Sequence, residues 1–195
     1  MIEQLRQHFA ALTKKCISDA SRTPSAVILP VYYFRDEYYI LFIKRTETVR
    51  DHKGQISFPG GRYETPDKTM LHTALRECTE EIGVPADKID ILGELDECAT
   101  SSSNYIISAY AGLIPYPYDF KIDRDEIDRI IKVPVAVLLD KKYQRANPEI
   151  LAGQIPPVYR YGNEVIWGAT AQILNQFLGI WVDVNSKLKK QSSKP

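Results

Sequence analysis

The stretch DKTMLHTALRECTEEIGVP, residues 67–85, decides how this chain is read. Leu71, Leu75, Cys78 and Ile82 recur at three- and four-residue steps, the period of one face of an α-helix. The spacing predicts a helix over about 67–82. Asp67 is a candidate N-cap, because its short carboxylate can accept from the free N–H groups of a first turn. Gly83 is placed to end the helix in a left-handed turn, and Pro85 prevents its continuation. Largely on another side stand Glu77, Glu80 and Glu81, at i, i+3 and i+4. Like charges at these spacings repel by a few tenths of a kcal/mol each. Such a face is either solvated or meets something positive.

The neighbouring residues favour the second reading. Gly60 and Gly61 precede the helix by a short loop, and without side chains their backbone can approach a ligand closely. Three glutamates offer hard oxygen donors, which suit Mg²⁺ or Mn²⁺, and these cations commonly bridge to substrate phosphates. Arg76 lies four residues before Glu80 and can pair with and orient it. A divalent cation beside a carboxylate base can activate water and stabilise charge on a phosphoryl group. An acidic helix face alone is usually only solvated, and a Gly-Gly pair alone is usually a turn. It is the combination that points to chemistry.

Around this centre the chain reads as α/β. Residues 2–20 place Ile2, Leu5, Phe9, Leu12 and Cys16 at helical spacing, which predicts an amphipathic N-terminal helix. AVILPVYYF and YYILFIKR, flanking a turn at RDE, predict a hairpin. Pro30 demotes the first of these strands towards a sheet edge or bulge. Strands are expected at 89–95 and 105–114, and a loop or short helix at 123–131. VPVAVLLD reads as a strand then a helical turn, and a second hairpin is expected around Gly162–Asn163. Residues 168–180 read as a closing helix, and the polar tail 185–195 as frayed.

Composition sets bounds. A length of 195 residues suits one domain spanning 1–195, large enough for a core without staples. Lys+Arg and Asp+Glu are 25 each, so no broad electrostatic footprint for nucleic acid or membrane is expected. No apolar run approaches a membrane span. Cys16, Cys78 and Cys98 are odd in number and far apart, which argues against disulfides and structural zinc and fits a reducing cytoplasm. Each reads as a small buried hydrophobe. His52 reads as a solvent or substrate-edge residue, and Trp167 as packing. Glu97 and Glu126 are candidate bases outside the helix. A homodimer is compatible with the sequence but rests on no particular residue.

With these residues in place, Gly61 to Val84 resembles the Nudix box, G-x5-E-x7-R-E-U-x-E-E-x-G-U with U aliphatic. Arg76 to Val84 matches its second half, with Cys78 in place of the first aliphatic residue. The interval from Gly61 to Arg76 is one residue longer than the pattern, and its first acid is best matched by Asp67. An insertion of this kind resembles the coenzyme A pyrophosphatase branch of the family. That branch carries an upstream motif, L-L-T-x-R-S-x3-R-x3-G-x3-F-P-G-G. LFIKRTETVRDHKGQISFPGG, residues 41–61, matches it at Leu41, Arg45, Arg50, Gly54 and Phe58-Pro59-Gly60-Gly61. VIWGATAQIL, residues 165–174, is similar to the branch's closing helix entry.

The resemblance implies an α/β/α sandwich with a mixed sheet and metal-dependent diphosphate hydrolysis. For coenzyme A the products would be 3′,5′-ADP and 4′-phosphopantetheine or its acyl form. It implies Glu77, Glu80 and Glu81 as metal and catalytic residues with Arg76, and Arg45, Arg50, Gly60 and Gly61 at the substrate. Guanidinium groups bind phosphate bidentately, which suits Arg45 and Arg50. Lys44 and Arg45 alternate along their strand and cannot face the same side. Alternatives are the same chemistry on ADP-ribose, NADH or a deoxynucleotide, or a non-catalytic nucleotide sensor. Diphosphate isomerisation shares the fold but wants a suitably placed cysteine before the box, which this sequence lacks.

Overall fold

Extended, β-branched and aromatic runs between residues 23 and 134 assemble into one mixed sheet. The computed structural model describes residues 1–48, 52–100, 103–140, 144–145 and 157–192. Strands β1 (Thr23–Phe34) and β2 (Glu37–Arg45) form a hairpin, with Phe34 opposite Glu37. Its two turn residues, Arg35 and Asp36, both have positive φ, 49° and 64°, which suits the twist of a two-residue hairpin. Strands β3 (Ile56–Ser57) and β4 (Gly60–Arg62) pair with β2 and β1 respectively. Helix α1 (Ile2–Ala11) precedes the sheet, and α2 (Met70–Ile82) follows β4. Strands β5 (Asp90–Glu94) and β6 (Cys98–Ala99) both pair with β7 (Tyr105–Leu113), which runs parallel to β1. Strand β8 (Ile127–Pro134) pairs with β2 and leads into the short helix α3 (Val135–Leu139). A smaller sheet joins β9 (Gln144–Arg145), β10 (Val158–Tyr161) and β11 (Glu164–Ile166), before the long helix α4 (Gly168–Ser192).

Alternation along the central strands builds two apolar layers. Leu29, Val31, Ile40 and Phe42 face one side, with Leu5 and Phe9 of α1, Leu138 of α3, and Leu174, Phe177 and Trp181 of α4. Ile28, Tyr32, Leu41 and Ile43 face the other, where α2 buries Ala74, Cys78 and Ile82. The result is helix, sheet, helix. Every one of these strand residues is at most 1% exposed, so the sheet is covered on both faces and the alternation is apolar throughout.

Four expectations change. Pro30 lies in a central strand, not an edge. On one side β1 pairs with β2 from Val31 onward and with β4 at Ser25–Val27, while the Ile28 N–H donates to the Pro59 carbonyl. Pro30 sits where the neighbour changes, so its missing donor costs no ladder bond. The N-terminal helix ends at Ala11, not near residue 20. Beyond it the N–H groups of Lys15 and Ile17 donate to Asp96 and Glu97, and the Glu97 N–H donates to the Lys15 carbonyl. These long-range bonds replace helical ones, and they leave Cys16 exposed, not buried. Residues 127–131 are strand, because Ile127 and Ile131 are buried against β2. Finally, α4 continues through Ser192, and Leu188 packs on the core, so the chain from 185 to 192 is helix and not a frayed tail.

Candidate active site

Helix α2 begins three residues later than its apolar period suggests. Thr69, not Asp67, is the N-cap, its hydroxyl accepting from the His72 N–H at 3.2 Å. Gly83 closes the helix at φ 71°, its N–H donating to the Thr79 carbonyl at 3.0 Å. Glu80 and Glu81 therefore occupy the last turn, the negative end of the helix dipole, with no basic residue in that turn. This placement disfavours them by a few tenths of a kcal/mol each unless a cation compensates.

Asp67 is freed for a different task. It is buried, and it accepts from Arg76 Nε at 3.1 Å and Nη2 at 3.0 Å, from the Thr73 hydroxyl at 2.9 Å and from the Glu64 N–H at 3.1 Å. These bonds, that of Arg76 first, hold its carboxyl down at about 2. Arg76 also donates from Nη2 to the Arg62 carbonyl. Its Nη1 is then directed between Glu77 and Glu80, 2.9 Å from each. The sequence expectation that Arg76 orients Glu80 holds, and Glu77 joins the same fork.

Glu77 and Glu81 are not solvated. Glu77 has 17% of its side chain exposed and Glu81 5%, against 56% for Glu80. Burial pushes Glu77 above the ordinary carboxylate range, opposed by Arg76. Glu81 is pushed up to about 8, by burial first; the Gly60 N–H and Arg45 oppose this, while Glu77 and Glu126 add to it. The Gly60 N–H donates to Glu81 Oε2 at 2.9 Å. A Cβ at Gly60 would fall 2.3 Å from the Ala26 carbonyl oxygen, and one at Gly61 2.2 Å from Glu77 Oε1. Gly60 therefore requires glycine, because it meets backbone, whereas a side chain at Gly61 would push the Glu77 carboxylate from its place.

Arg45 reaches this centre from the end of β2. The register of β2 against β8 is irregular between Lys44 and Arg45. Lys44 turns to Glu164, whereas Arg45 donates to Glu81 at 3.3 Å and to Glu126 at 2.9 Å. The two basic residues do part company, as alternation demands. Glu126 completes a set of four carboxylates with Glu77, Glu80 and Glu81. The sequence ranked it no higher than Glu97, since nothing local distinguishes them. Glu97 serves elsewhere, accepting from Ser108 and the Ile17 N–H. Arg50 lies outside the described residues. His52 Nδ1 is bonded to the Gln55 side chain, 2.9 Å away.

The site thus combines buried carboxylates, a dipole end of like sign and two guanidinium groups. Among the described residues no three acidic, histidine or cysteine side chains form a ready cation cage. The arginines stand between the carboxylates instead. Cys78 faces the core, and burial raises its thiol, which suits packing and not nucleophilic attack.

Comparison with known proteins identifies the family and the fold. The family model described as NUDIX domain matches residues 21–153. A protein of Photorhabdus laumondii named Uncharacterized Nudix hydrolase NudL is 34% identical over 164 residues, 83% of this chain and 86% of that protein. Among solved structures, a MutT/nudix family protein from Enterococcus faecalis aligns with TM-score 0.59 and 12% identity over 94% of this chain and 70% of that one. A C. elegans Ap4A hydrolase aligns with TM-score 0.54 and 12% identity over 83% of this chain and 98% of that one. The chain belongs to the Nudix family of hydrolases. The structural likenesses, at this identity, bear on the fold alone.

Proposed function

We propose that the chain hydrolyses the diphosphate of coenzyme A or its derivatives, releasing 3′,5′-ADP and 4′-phosphopantetheine or its acyl form. One observation carries this reading. Arg45 belongs to the 41–61 segment that resembles the coenzyme A pyrophosphatase branch, and its guanidinium lies against Glu81 of the box helix. The segment that would select the substrate and the helix that would cleave it share one site.

Glu77, Glu80 and Glu81 would hold Mg²⁺ or Mn²⁺. The residues fit such an ion. Glu81 is buried and Glu77 half-buried, both pushed up by desolvation, all three are hard oxygen donors, and Gly61 leaves the space that a Cβ would take from Glu77. When bound, the cation supplies positive charge to the diphosphate and acidity to a water. The chain's own groups do the rest. Asp67 fixes Arg76, and Arg76 fixes Glu77 and Glu80. The Gly60 N–H fixes Glu81. Water attacks one phosphorus, the bridging P–O bond breaks, and the departing phosphate carries the electron pair. Glu81 or Glu126, which meet at Arg45, would take the proton of that water.

Turnover of coenzyme A with Mg²⁺ or Mn²⁺, read as 3′,5′-ADP by chromatography beside dephospho-coenzyme A, ADP-ribose and NADH, tests the reading. Preferential release of 3′,5′-ADP from coenzyme A is expected. Cleavage of ADP-ribose or NADH in preference would keep the hydrolase and remove the coenzyme A assignment. Glu77→Gln, Glu80→Gln and Glu81→Gln should each lower kcat by about a hundredfold or more with the fold intact. Near-wild-type turnover in all three would remove the site.

A further inference from the structure

We infer that Arg45 is a resident occupant of the cation site: it pairs with Glu81 and Glu126 until the divalent cation displaces it, and then pairs with the diphosphate. This rests on the cation reading above and adds to it a competition within the protein.

The two guanidinium groups of the site have parallel contacts and unequal anchors. Arg76 bridges Glu77 and Glu80, and Arg45 bridges Glu81 and Glu126. Arg76 is tied down independently, by two bonds to buried Asp67 and one to the Arg62 carbonyl. If a cation draws the glutamates away, Arg76 stays where it is. Arg45 is held differently. Its acceptors among the described residues are the two carboxylates, and its Nε is buried without any acceptor. A cation that takes Glu81 removes half of what holds this guanidinium in place.

Charge and geometry agree. Arg45 and Arg76 face Glu77, Glu80, Glu81 and Glu126, and Arg76 also carries Asp67, so carboxyl groups outnumber guanidinium groups at the site and a divalent cation would redress the balance. Alternation along β2 turns Arg45 towards α2 while Lys44 goes to Glu164, and the β8 register skips Asp128 opposite this pair. Arg45 is also attached close by. The Arg45 N–H donates to the Gln55 carbonyl and the Thr46 N–H to the Glu126 carbonyl, so its backbone is fixed while its side chain can swing. A guanidinium released beside a bound cation is within reach of a phosphate that the cation holds, and its planar fork suits two phosphate oxygens.

The test is Mn²⁺ binding to the chelator-treated full chain, read from the electron paramagnetic resonance signal of free Mn²⁺, with no substrate present. Arg45→Gln should bind Mn²⁺ about fivefold or more tightly than wild type, the scale of a modest coupling between sites. At saturating Mn²⁺ the same variant should bind the non-cleavable diphosphate α,β-methylene-ADP more weakly. Arg45→Lys keeps a charge but cannot bridge two carboxylates, so it should fall between the two, and it carries the test if the glutamine variant does not fold. Unchanged or weaker Mn²⁺ binding in the variants, with tight binding in wild type, would overturn this inference and leave the hydrolase reading standing. No Mn²⁺ binding by any of them would remove the cation reading and this inference together.

Discussion

Glu81 shows what one residue can be made to carry. It is nearly sealed from water, at the negative end of a helix, with Glu77 and Glu126 nearby. Only the Gly60 N–H and Arg45 offset this, and its carboxyl rises to about 8 from an ordinary 4.5. A raised carboxyl binds its proton more tightly folded than unfolded. Its contribution to stability is therefore full below about 4.5 and is lost as pH climbs through about 8. Chelator-treated protein should lose stability, and with it Tm, between pH 5 and pH 8.5, the free-energy loss being on the order of a few kcal/mol at most. Glu81→Gln should flatten that slope, and so should saturating Mn²⁺, which favours the ionised carboxylate. A slope identical in wild type and variant, followed by thermal denaturation, would assign the titration elsewhere. Asp67 does not confuse the reading, because its lowered carboxyl titrates near 2, outside this window.

Helix α2 separates two jobs that the sequence had placed on one residue. Thr69 caps the helix, and Asp67 clamps Arg76 from the preceding loop. The two roles predict different losses. Thr69→Ala should cost about 1 kcal/mol in urea unfolding and leave kcat nearly unchanged. Asp67→Asn should cost about 1–3 kcal/mol, because a buried charged partner of Arg76 is removed, and it should also lower kcat as Arg76 loosens its hold on Glu77 and Glu80. Equal effects of the two on stability and kcat would mean that Asp67 is only a second cap.

Across the whole molecule the sheet acts as a partition. The site lies on the α2 side, over Ile28, Leu41, Ile43 and Cys78. The larger apolar cluster lies on the other side, where α1 and α4 close over Val31, Phe42 and Trp181. Phe177 is fully buried there. Phe177→Ala should destabilise the protein by about 3–5 kcal/mol, through lost burial and a cavity. At a temperature where the variant remains folded, kcat should be close to wild type, because the strands between cluster and site are held by their ladder bonds. A parallel fall in kcat would show that the two faces are coupled. The smaller sheet is joined to the main one by charge: Lys44 of β2 and Arg129 of β8 both pair with Glu164 of β11. That contact holds Lys44 away from the site and leaves Arg45 as the basic residue of β2 that enters it.

The sequence by itself determined the helix, its glycine stop, the hairpins and the three box glutamates, because each depends on local period or on a backbone requirement of one residue type. It also separated Lys44 from Arg45, since alternation in a strand needs no knowledge of the fold. Other features required the chain to come together. Pro30 is tolerated in a central strand because β2 gives way to β4 beside it, and no local pattern records where a neighbour changes. The N-terminal helix stops at Ala11 because residues 94 to 97 offer partners that are remote in sequence. Burial of Glu81, and with it the rise in its carboxyl, comes from strands packed against α2. The meeting of Arg45, Glu81 and Glu126 joins three segments that local periodicity treats as unrelated. Electrostatic partners act through space, so the composition of the helix could be read along the chain, while the balance of charge around it was decided by the tertiary structure.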